Sequence, residues 1–238
     1  MTTRRTSASG HDEDDAFAAE RRALFREIAA EAEETARWTG RPAFDDRIMA
    51  AMARVPRHEF VPAGEVPYAW LNVPLPIGHR QTISQPFIVA LMTDLLRPES
   101  DHVILEIGTG SGYQAAVLSG LVRKIFSIEL EPDLAAEAAG RLARLGYANV
   151  EVKAGDGAEG WPEHAPFDGI IVTAGAADVP PRLVEQLREG GRLVIPVDSA
   201  LGQDLRVLHK GAGGEIEVRS VLPVSFVPLR KPSGDRVR

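Results

Sequence analysis

The spacing of apolar residues changes near residue 98 and indicates two regions of different local structure. Residues 15–38 place apolar side chains at helical spacing among many Ala, Glu and Arg, which predicts an amphipathic helix. Shorter helices are predicted over residues 45–53 and 84–96. Residues 63–84 are rich in Pro and Gly and predict a loop, and a loop of this length inside a compact domain is usually functional or disordered.

Beyond residue 98, short apolar strands alternate with helices. Strands are predicted at 103–107, 124–128, 150–153, 168–173 and 192–197, with helices at 113–121, 133–145 and 181–188. This alternation predicts an α/β fold with a doubly wound, mostly parallel sheet and helices on both faces. Two alternating segments flank Gly211-Ala212-Gly213-Gly214, which predicts an antiparallel C-terminal hairpin.

These patterns divide the chain into three parts within a single globular domain. Residues 1–14 are small, polar and charged, and we expect a disordered acidic tail. Residues 15–98 form an N-terminal helical and loop region, and residues 99–238 form the Rossmann-like core.

Composition narrows the possible functions. The 238 residues are 44% hydrophobic and 26% charged, as in ordinary soluble proteins. The formal net charge of -7 disfavours nucleic acid and anionic membranes as partners. Cysteine is absent, which excludes disulfides, thiolate metal sites and cysteine nucleophiles. No secretory signal or membrane-spanning run is evident, so we expect a cytoplasmic protein.

Metal binding is not expected. The six histidines are scattered and show no spacing typical of zinc sites. They are His11, His58, His79, His102, His164 and His209.

A glycine-rich loop follows the predicted strand 103–107 and reads Gly108-Thr109-Gly110-Ser111-Gly112. Its G-x-G-x-G spacing differs from the dinucleotide fingerprint G-x-G-x-x-G, and no Gly-Lys-Ser/Thr follows. Glu106, just before the turn, would repel a pyrophosphate but suits a ligand with an amine or sulfonium. The loop therefore favours S-adenosylmethionine over NAD or ATP, although a plain glycine-rich turn is equally compatible with an isolated glycine triplet.

Two later strand ends carry acids that strengthen this interpretation. Glu129 ends the second strand of the core, where a carboxylate can accept hydrogen bonds from both ribose hydroxyls. Asp156 and Gly157 follow the third strand, where they can accept from an adenine amino group and leave room for the ring. Taken alone, Glu129 could be a helix cap, and Asp-Gly is a common turn.

The chain resembles the protein-L-isoaspartate (D-aspartate) O-methyltransferases over about residues 44–229. The glycine loop alone indicates only a class I methyltransferase, whereas Val-Pro-Arg at 55–57 and Gln-Thr-Ile-Ser-Gln-Pro at 81–86 are specific to this family. The segments that carry the resemblance are 54–62, 81–86, 105–113, 155–157, 165–174, 190–197 and 226–229. Residues 1–43 are longer and more acidic than the usual start of the family.

The resemblance implies a class I S-adenosylmethionine-dependent methyltransferase fold, with S-adenosyl-L-methionine as cofactor and S-adenosyl-L-homocysteine as product. It implies that Ser84 is the active-site serine, within a substrate-binding segment of Gln81, Thr82, Ile83 and Ser84. The implied cofactor-binding residues are Glu106, Gly108, Thr109, Gly110, Ser111, Gly112, Glu129, Asp156 and Gly157. Without this context, Ser84 would be interpreted as a helix N-cap contributing about 1 kcal/mol.

The implied activity is methyl esterification of the free α-carboxyl of L-isoaspartyl residues, and of the β-carboxyl of D-aspartyl residues, in damaged proteins. The ester would initiate repair through a succinimide. We expect a monomer that acts on isoaspartyl-containing proteins and peptides. Two alternatives stay open: a dedicated methyltransferase that modifies an aspartate of a specific partner, and a module that binds S-adenosylmethionine without turnover.

Overall fold

The structure, a computed structural model, describes residues 16–230, so the predicted tail 1–14 lies outside the described residues. The helices are α1 (Ala18–Thr39), α2 (Asp46–Arg54), α3 (Pro86–Leu96), α4 (Tyr113–Ser119), α5 (Pro132–Arg144) and α6 (Pro181–Gln186). The strands are β1 (Leu75–Gly78), β2 (Gln81–Ile83), β3 (Val103–Ile107), β4 (Lys124–Glu129), β5 (Val150–Ala154), β6 (Phe167–Val172), β7 (Leu187–Ser199), β8 (Gly202–Lys210) and β9 (Ile216–Val224).

A seven-stranded sheet in the order β5-β4-β3-β6-β7-β8-β9 forms the centre of the molecule. The strands from β5 to β7 are parallel, whereas β7, β8 and β9 pair antiparallel. The predicted mostly parallel sheet and C-terminal hairpin are therefore confirmed. Because β3 is followed by β4 on one side and pairs with β6 on the other, the strand order reverses at β3. Ligands of open α/β sheets bind at such a point, beyond the carboxyl ends of the strands.

Both faces of the sheet are buried, which explains why its strands are apolar runs. Successive residues of β3 point to opposite faces: Ile104 joins a core cluster with the N-terminal helices, and Leu105 joins a second cluster on the other face. Trp161 and Phe167 are also buried in the second cluster.

Helix α1 packs against the domain through one side. Leu24, Ile28 and Ala32 are buried at spacings of four residues, which is the helical periodicity of the sequence. The helix ends at Gly40, whose φ of 68° lies in the left-handed region that favours glycine at a helix C-terminus.

The predicted loop 63–84 contains more regular structure than its composition indicates. Residues Ala63–Tyr68 form a 3-10 helix, and β1 and β2 form an antiparallel hairpin. The hairpin turn uses His79 and Arg80, with φ of 50° and 58°. Sequence patterns mark such two-residue turns by Asn-Gly or Asp-Gly. Neither pair is present in this turn, so the hairpin was missed.

The prediction for α6 was wrong at its C-terminal end. The helix stops at Gln186, and Leu187 and Arg188 belong to β7, which is longer than the predicted strand 192–197. Pairing of Leu187 with Phe167 of β6 supplies backbone hydrogen bonds that the local sequence does not reveal.

Candidate active site

A cleft of about 770 Å³ lies at the carboxyl ends of β3, β4 and β6, where the strand order reverses. A concave site at this position, lined by both apolar and polar groups, is typical of small-molecule sites in open α/β sheets. Its walls come from the glycine loop and the start of α4, the β2 segment and Val89 of α3, the ends of β4 and β6, Gly157 after β5, and a C-terminal segment, residues 227–230.

The glycine loop holds its shape through backbone contacts that only glycine allows. Gly108 has a φ of 93°, and a Cβ atom at this position would lie 2.5 Å from the hydroxyl oxygen of Thr173. That hydroxyl donates to the Gly108 carbonyl at 2.6 Å. Gly112 has a φ of 88° and begins α4 as its N-cap. The loop backbone therefore packs directly against the end of β6 and leaves the space above it open.

Glu129 lines the cleft and anchors the same loop. Its Oε2 atom accepts from the backbone N–H of Gly110 at 2.9 Å, and Oε1 accepts from that of Glu131 at 3.1 Å. The side chain is 6% exposed. Each carboxylate oxygen has a further lone pair, so a nearly buried carboxylate with fixed orientation remains available to accept two hydroxyl donors.

Glu106 was predicted to contact the cofactor, but it does not line the cleft. Its carboxyl is fully buried, and burial raises its pKa to about 8. Ser127 donates its hydroxyl hydrogen to Glu106 Oε2, and the Ser127 hydroxyl lies 2.6 Å from that of Thr109. This chain of contacts connects Glu106 to the glycine loop from behind and supports a positioning role rather than direct contact with a ligand.

Asp156 and Gly157 lie at the end of β5 and contribute differently. Asp156 Oδ1 accepts from the backbone N–H of Ala158 at 2.9 Å and caps a short 3-10 helix. The Asp156 side chain is not among the cleft-lining residues, whereas Gly157 is. A Cβ atom on Gly157 would lie 2.3 Å from Cγ2 of Ile107, so only glycine fits against the floor of the cleft.

Ser84 lies where the cleft meets a second cavity of about 1060 Å³. Within residues 16–230, the Ser84 hydroxyl has no hydrogen-bond partner, so it is available to donate to a bound group. Its interpretation as an N-cap was wrong: Gln85 is the N-cap residue of α3, and no side chain caps that helix. The sharp entry into α3 comes from Pro86 at its first position.

Arg57 holds the Ser84 segment in place, a role that sequence analysis did not assign. The guanidinium is fully buried and donates to the backbone carbonyls of Ser84 at 2.8 Å and of Ala69 at 2.9 Å. It also lies 4.8 Å from the ring centroid of Tyr113. Burial lowers the pKa of Arg57, but the carbonyls and the ring favour its charged form. The Val-Pro-Arg motif at 55–57 marked Arg57 as a family residue in the sequence, but it did not indicate that Arg57 binds the backbone of Ser84.

The second cavity continues the cleft outward as an open groove. The two share Thr82, Ser84, Thr173 and Val227. Glu31 of α1 forms part of the groove wall, where it accepts from Asn72 and Gln85 side chains. A groove that runs past Ser84 into a smaller cleft can accommodate a polymer with one residue directed inward.

Most of the predicted site residues converge on this cleft. Those that line it are Gln81, Thr82, Ile83, Ser84, Gly108, Thr109, Gly110, Ser111, Glu129 and Gly157, whereas Glu106, Gly112 and Asp156 support it from outside. Sequence analysis missed Thr173, Tyr113 and the C-terminal residues Val227, Leu229 and Arg230 as lining residues.

The cleft fits an adenosyl amino acid with a sulfonium. The backbone of Gly108, Gly110 and Gly157 lines the cleft, and Glu129 presents two acceptor oxygens beside it. Ile107 and Ile128 supply an apolar wall for a flat ring. Within residues 16–230, no cluster of three or more His, Cys, Asp or Glu side chains could bind a metal ion. In the same residues, no helix is both long enough and apolar enough to cross a membrane.

Comparison with known proteins identifies relatives over most of the chain. The model of the family "Protein-L-isoaspartate(D-aspartate) O-methyltransferase (PCMT)" matches residues 38–234. Protein-L-isoaspartate O-methyltransferase 2 of Polaromonas sp. (strain JS666 / ATCC BAA-500) is 56% identical over 207 residues, covering 87% of this chain and 98% of the relative. The protein of the same name from Syntrophobacter fumaroxidans is 55% identical over 217 residues, covering 91% of this chain and 88% of the relative.

Solved structures agree with the sequence matches. A protein-L-isoaspartate O-methyltransferase with 28% identity has a TM-score of 0.74, and the match covers 90% of this chain and 67% of that one. A Plasmodium falciparum protein of the same description, in complex with S-adenosyl-L-homocysteine, has a TM-score of 0.72 at 23% identity, covering 90% of this chain and 97% of that one. The predicted class I methyltransferase fold is therefore confirmed.

Proposed function

The chain belongs to the protein-L-isoaspartate(D-aspartate) O-methyltransferase family, and we propose that it methylates the free α-carboxyl of L-isoaspartyl residues in damaged proteins. The observation that carries this proposal is the junction at Ser84 between a cleft suited to S-adenosyl-L-methionine and a groove suited to a peptide. The same geometry suits the β-carboxyl of D-aspartyl residues.

S-adenosyl-L-methionine, when bound, would supply a methyl group on a sulfonium. A carboxylate oxygen would bond to the methyl carbon as the bond from sulfur to that carbon breaks, and S-adenosyl-L-homocysteine would leave as a neutral thioether. Glu129 would accept hydrogen bonds from the ribose hydroxyls, and the backbone from Gly108 to Ser111 would enclose the adenosyl and amino acid parts. Gly157 leaves room for the adenine beside the cap formed by Asp156. Glu106 positions the loop through Ser127 and Thr109.

The reaction needs alignment more than proton transfer. A free α-carboxyl has a pKa of about 3.5, so the nucleophile is already ionised at neutral pH. Within residues 16–230, no His, Lys or Asp lines the cleft, so no side chain of these types is placed to act as a base there. Well-oriented reactants can lower a barrier by roughly 7–11 kcal/mol. We assign that orientation to Ser84, whose hydroxyl donates to the substrate carboxylate, and to the segment Gln81–Ile83 around it.

The methyl ester accounts for repair. An isoaspartyl methyl ester cyclises without enzyme to a succinimide, and hydrolysis of the succinimide returns part of the residue to normal aspartate. Repeated cycles restore the damaged chain. The groove beside Ser84 is accessible from solvent, which suits a substrate residue held within a longer chain.

A pair of peptides tests the proposal. One peptide carries L-isoaspartate and its twin carries L-aspartate at the same position, and each is incubated with S-adenosyl-L-methionine labelled in the methyl group. We expect base-labile label on the isoaspartyl peptide alone. Equal labelling of both peptides, or labelling of one cellular protein without either peptide, would instead support a dedicated methyltransferase. Cofactor binding without any labelling would support a non-catalytic binding module.

We also propose a cytoplasmic monomer that acts on proteins rather than nucleic acids or membranes. The absence of cysteine suits a reducing compartment, and the net charge of -7 disfavours binding to anionic polymers and lipids. Light scattering tests the oligomeric state: a mass near 25.7 kDa is expected, and twice that mass contradicts the proposal. Fractionation of cells tests the compartment.

A further inference from the structure

A pocket of about 930 Å³ lies at the opposite end of the sheet from the cofactor cleft. Arg192 lines this pocket and is the strand-pairing partner of Gly169, near the amino end of β6. The cleft, by contrast, lies beyond the carboxyl end of β6. The pocket shares no lining residue with the cleft or with the groove beside Ser84. It is therefore separate from the machinery of methyl transfer.

Positive charge dominates this pocket. Four arginines and a histidine line it, against a single acidic residue, Glu217; the cationic residues are Arg41, Arg97, Arg192, Arg219 and His209. Only Arg41 among these arginines has an ion pair within residues 16–230, with Asp94 at 2.7 Å. Arg97, Arg192 and Arg219 form no ion pair with a carboxylate in that part of the chain. The positive charges of these three guanidinium groups are therefore not neutralised by a direct acidic partner there.

The arrangement of the strands and helices brings these charges together. Arg192 of β7 pairs with His209 of β8, and Val207 of β8 pairs with Arg219 of β9, so the three polar side chains share one face of the sheet. Arg97 comes from the C-terminal end of α3, and Arg41 follows the end of α1. The residues are far apart in the sequence and converge only through the fold.

The cluster brings like charges close together and includes a backbone conformation that is unusual for arginine. Arg97 has a φ of 54°, a left-handed conformation at a helix C-terminus where glycine or asparagine is usual. Burial, together with the nearby charges of Arg97, Arg41 and Arg219, lowers the pKa of Arg192, as expected where like charges repel. Like charges in proximity are destabilising. A bound anion would remove this repulsion.

We propose that this arginine pocket binds a small phosphorylated anion that carries at least two negative charges. Guanidinium groups bind phosphate oxygens through paired, charge-assisted hydrogen bonds, and several of them in one concave site match a multivalent anion. A long polyanion is disfavoured because the chain as a whole carries a net charge of -7.

Calorimetric titration of the full chain with tripolyphosphate tests the proposal. Saturating S-adenosyl-L-homocysteine is included so that the cofactor cleft does not contribute. The site variant is Arg97→Gln/Arg219→Gln, in which both substituted side chains are exposed, and the matched control is Arg22→Gln/Arg26→Gln on the exposed side of α1. We expect tripolyphosphate to bind wild type and control alike, and the site variant at least about tenfold more weakly.

Equal affinity of the site variant and wild type for tripolyphosphate would overturn the proposal. An equal loss of affinity in the control variant would also overturn it, because that result would indicate a general effect of net charge. Methyl transfer to an isoaspartyl peptide serves as the folding check, because neither pair of residues touches the cleft or groove. Arg192→Gln provides an independent variant with the same expected loss. A single-stranded oligonucleotide is titrated in parallel, and tighter binding of it through the same arginines would contradict a small-anion site.

Discussion

The guanidinium of Arg57 donates through Nη2 to the backbone carbonyl of Ser84 at 2.8 Å, across 27 residues of the chain. It thereby connects a buried cation to the segment that presents the Ser84 hydroxyl at the junction of cleft and groove. The position of Ser84 therefore depends on a residue that does not itself line the cleft.

Arg57→Lys should impair methyl transfer more than cofactor binding. Lysine retains the charge but lacks the planar fork that reaches Ser84 and Ala69 together, so the serine segment should shift. A misplacement of about 1 Å can cost about 100-fold in rate, and we expect kcat/KM to fall by at least about tenfold. The exposed Arg54→Lys is the matched control and should retain wild-type kinetics. Unchanged kinetics in Arg57→Lys would contradict the positioning role.

Ser84→Ala should retain affinity for S-adenosyl-L-methionine and lose most turnover. The variant removes the donor that orients the carboxylate and leaves the glycine loop and Glu129 intact, so we expect a loss of about 100-fold in kcat. Single-turnover kinetics and calorimetry separate the two effects. Ser220→Ala, which removes an exposed hydroxyl of β9 that lines neither the cleft nor the groove, is the control. Full activity in Ser84→Ala would remove its assigned role.

Glu129→Ala should weaken cofactor binding. Each charge-assisted hydrogen bond contributes about 1.5–3 kcal/mol, and the variant also releases the backbone N–H of Gly110. We therefore expect the dissociation constant for S-adenosyl-L-homocysteine to rise by at least about tenfold. Glu151→Ala removes an exposed carboxylate of β5 and should bind normally. Equal affinities in calorimetry would exclude the ribose assignment.

Glu106→Gln should change the pH dependence of stability. Because burial raises the folded-state pKa from 4.5 to about 8, the folded protein retains a proton that the unfolded chain releases above about pH 4.5. This residue therefore lowers the free energy of unfolding as pH rises from about 4.5 to about 8, by at most about 1.4 kcal/mol per pH unit.

Glutamine carries no such proton, so the variant should gain stability relative to wild type over the same window and level off above it. Urea unfolding at about pH 5, 6.5 and 8 measures the difference. A difference that stays constant over this range would mean that Glu106 is not held protonated in the folded state.

Gly157→Ala should damage both the fold and the cleft. The added Cβ would overlap Ile107 Cγ2, and overpacking of this kind costs about 1–3 kcal/mol of unfolding free energy. Cofactor affinity should fall too, because Ile107 and Gly157 both line the cleft. Gly140→Ala is the matched control: no atom lies within 4 Å of its added Cβ on α5, and it should stabilise the protein by about 0.4–1 kcal/mol. Similar thermal unfolding of the two variants would contradict the close packing.

Local sequence was sufficient for the parts of the site that depend on one strand and the turn after it. Residues Gly108 to Ser111 of the glycine loop and Glu129 do lie together in the cleft, because parallel strands align their carboxyl ends at one edge. The Ser84 segment was located only through the family resemblance, since a serine before a proline-led helix has the same local pattern as an N-cap.

Contacts between distant segments decided the rest. The fold buries Glu106 away from the cleft, where it contacts Ser127, and it directs Oδ1 of Asp156 to the backbone N–H of Ala158. The hairpin turn at His79 and Arg80 is held by strand pairing rather than by turn-forming residues.

The sequence by itself determined the succession of strands and helices along the core from residue 99 onward. It also determined the glycine turn and the acids at the strand ends. These features depend on backbone preferences and apolar periodicity within a few residues. Only the tertiary structure decided which side chains face the cleft, that Arg57 supports Ser84, and that the arginines of β7, β9 and the ends of α1 and α3 share one pocket. The physical reason is that burial and charge proximity arise when segments pack together, and no local pattern in the chain encodes the distance between such segments.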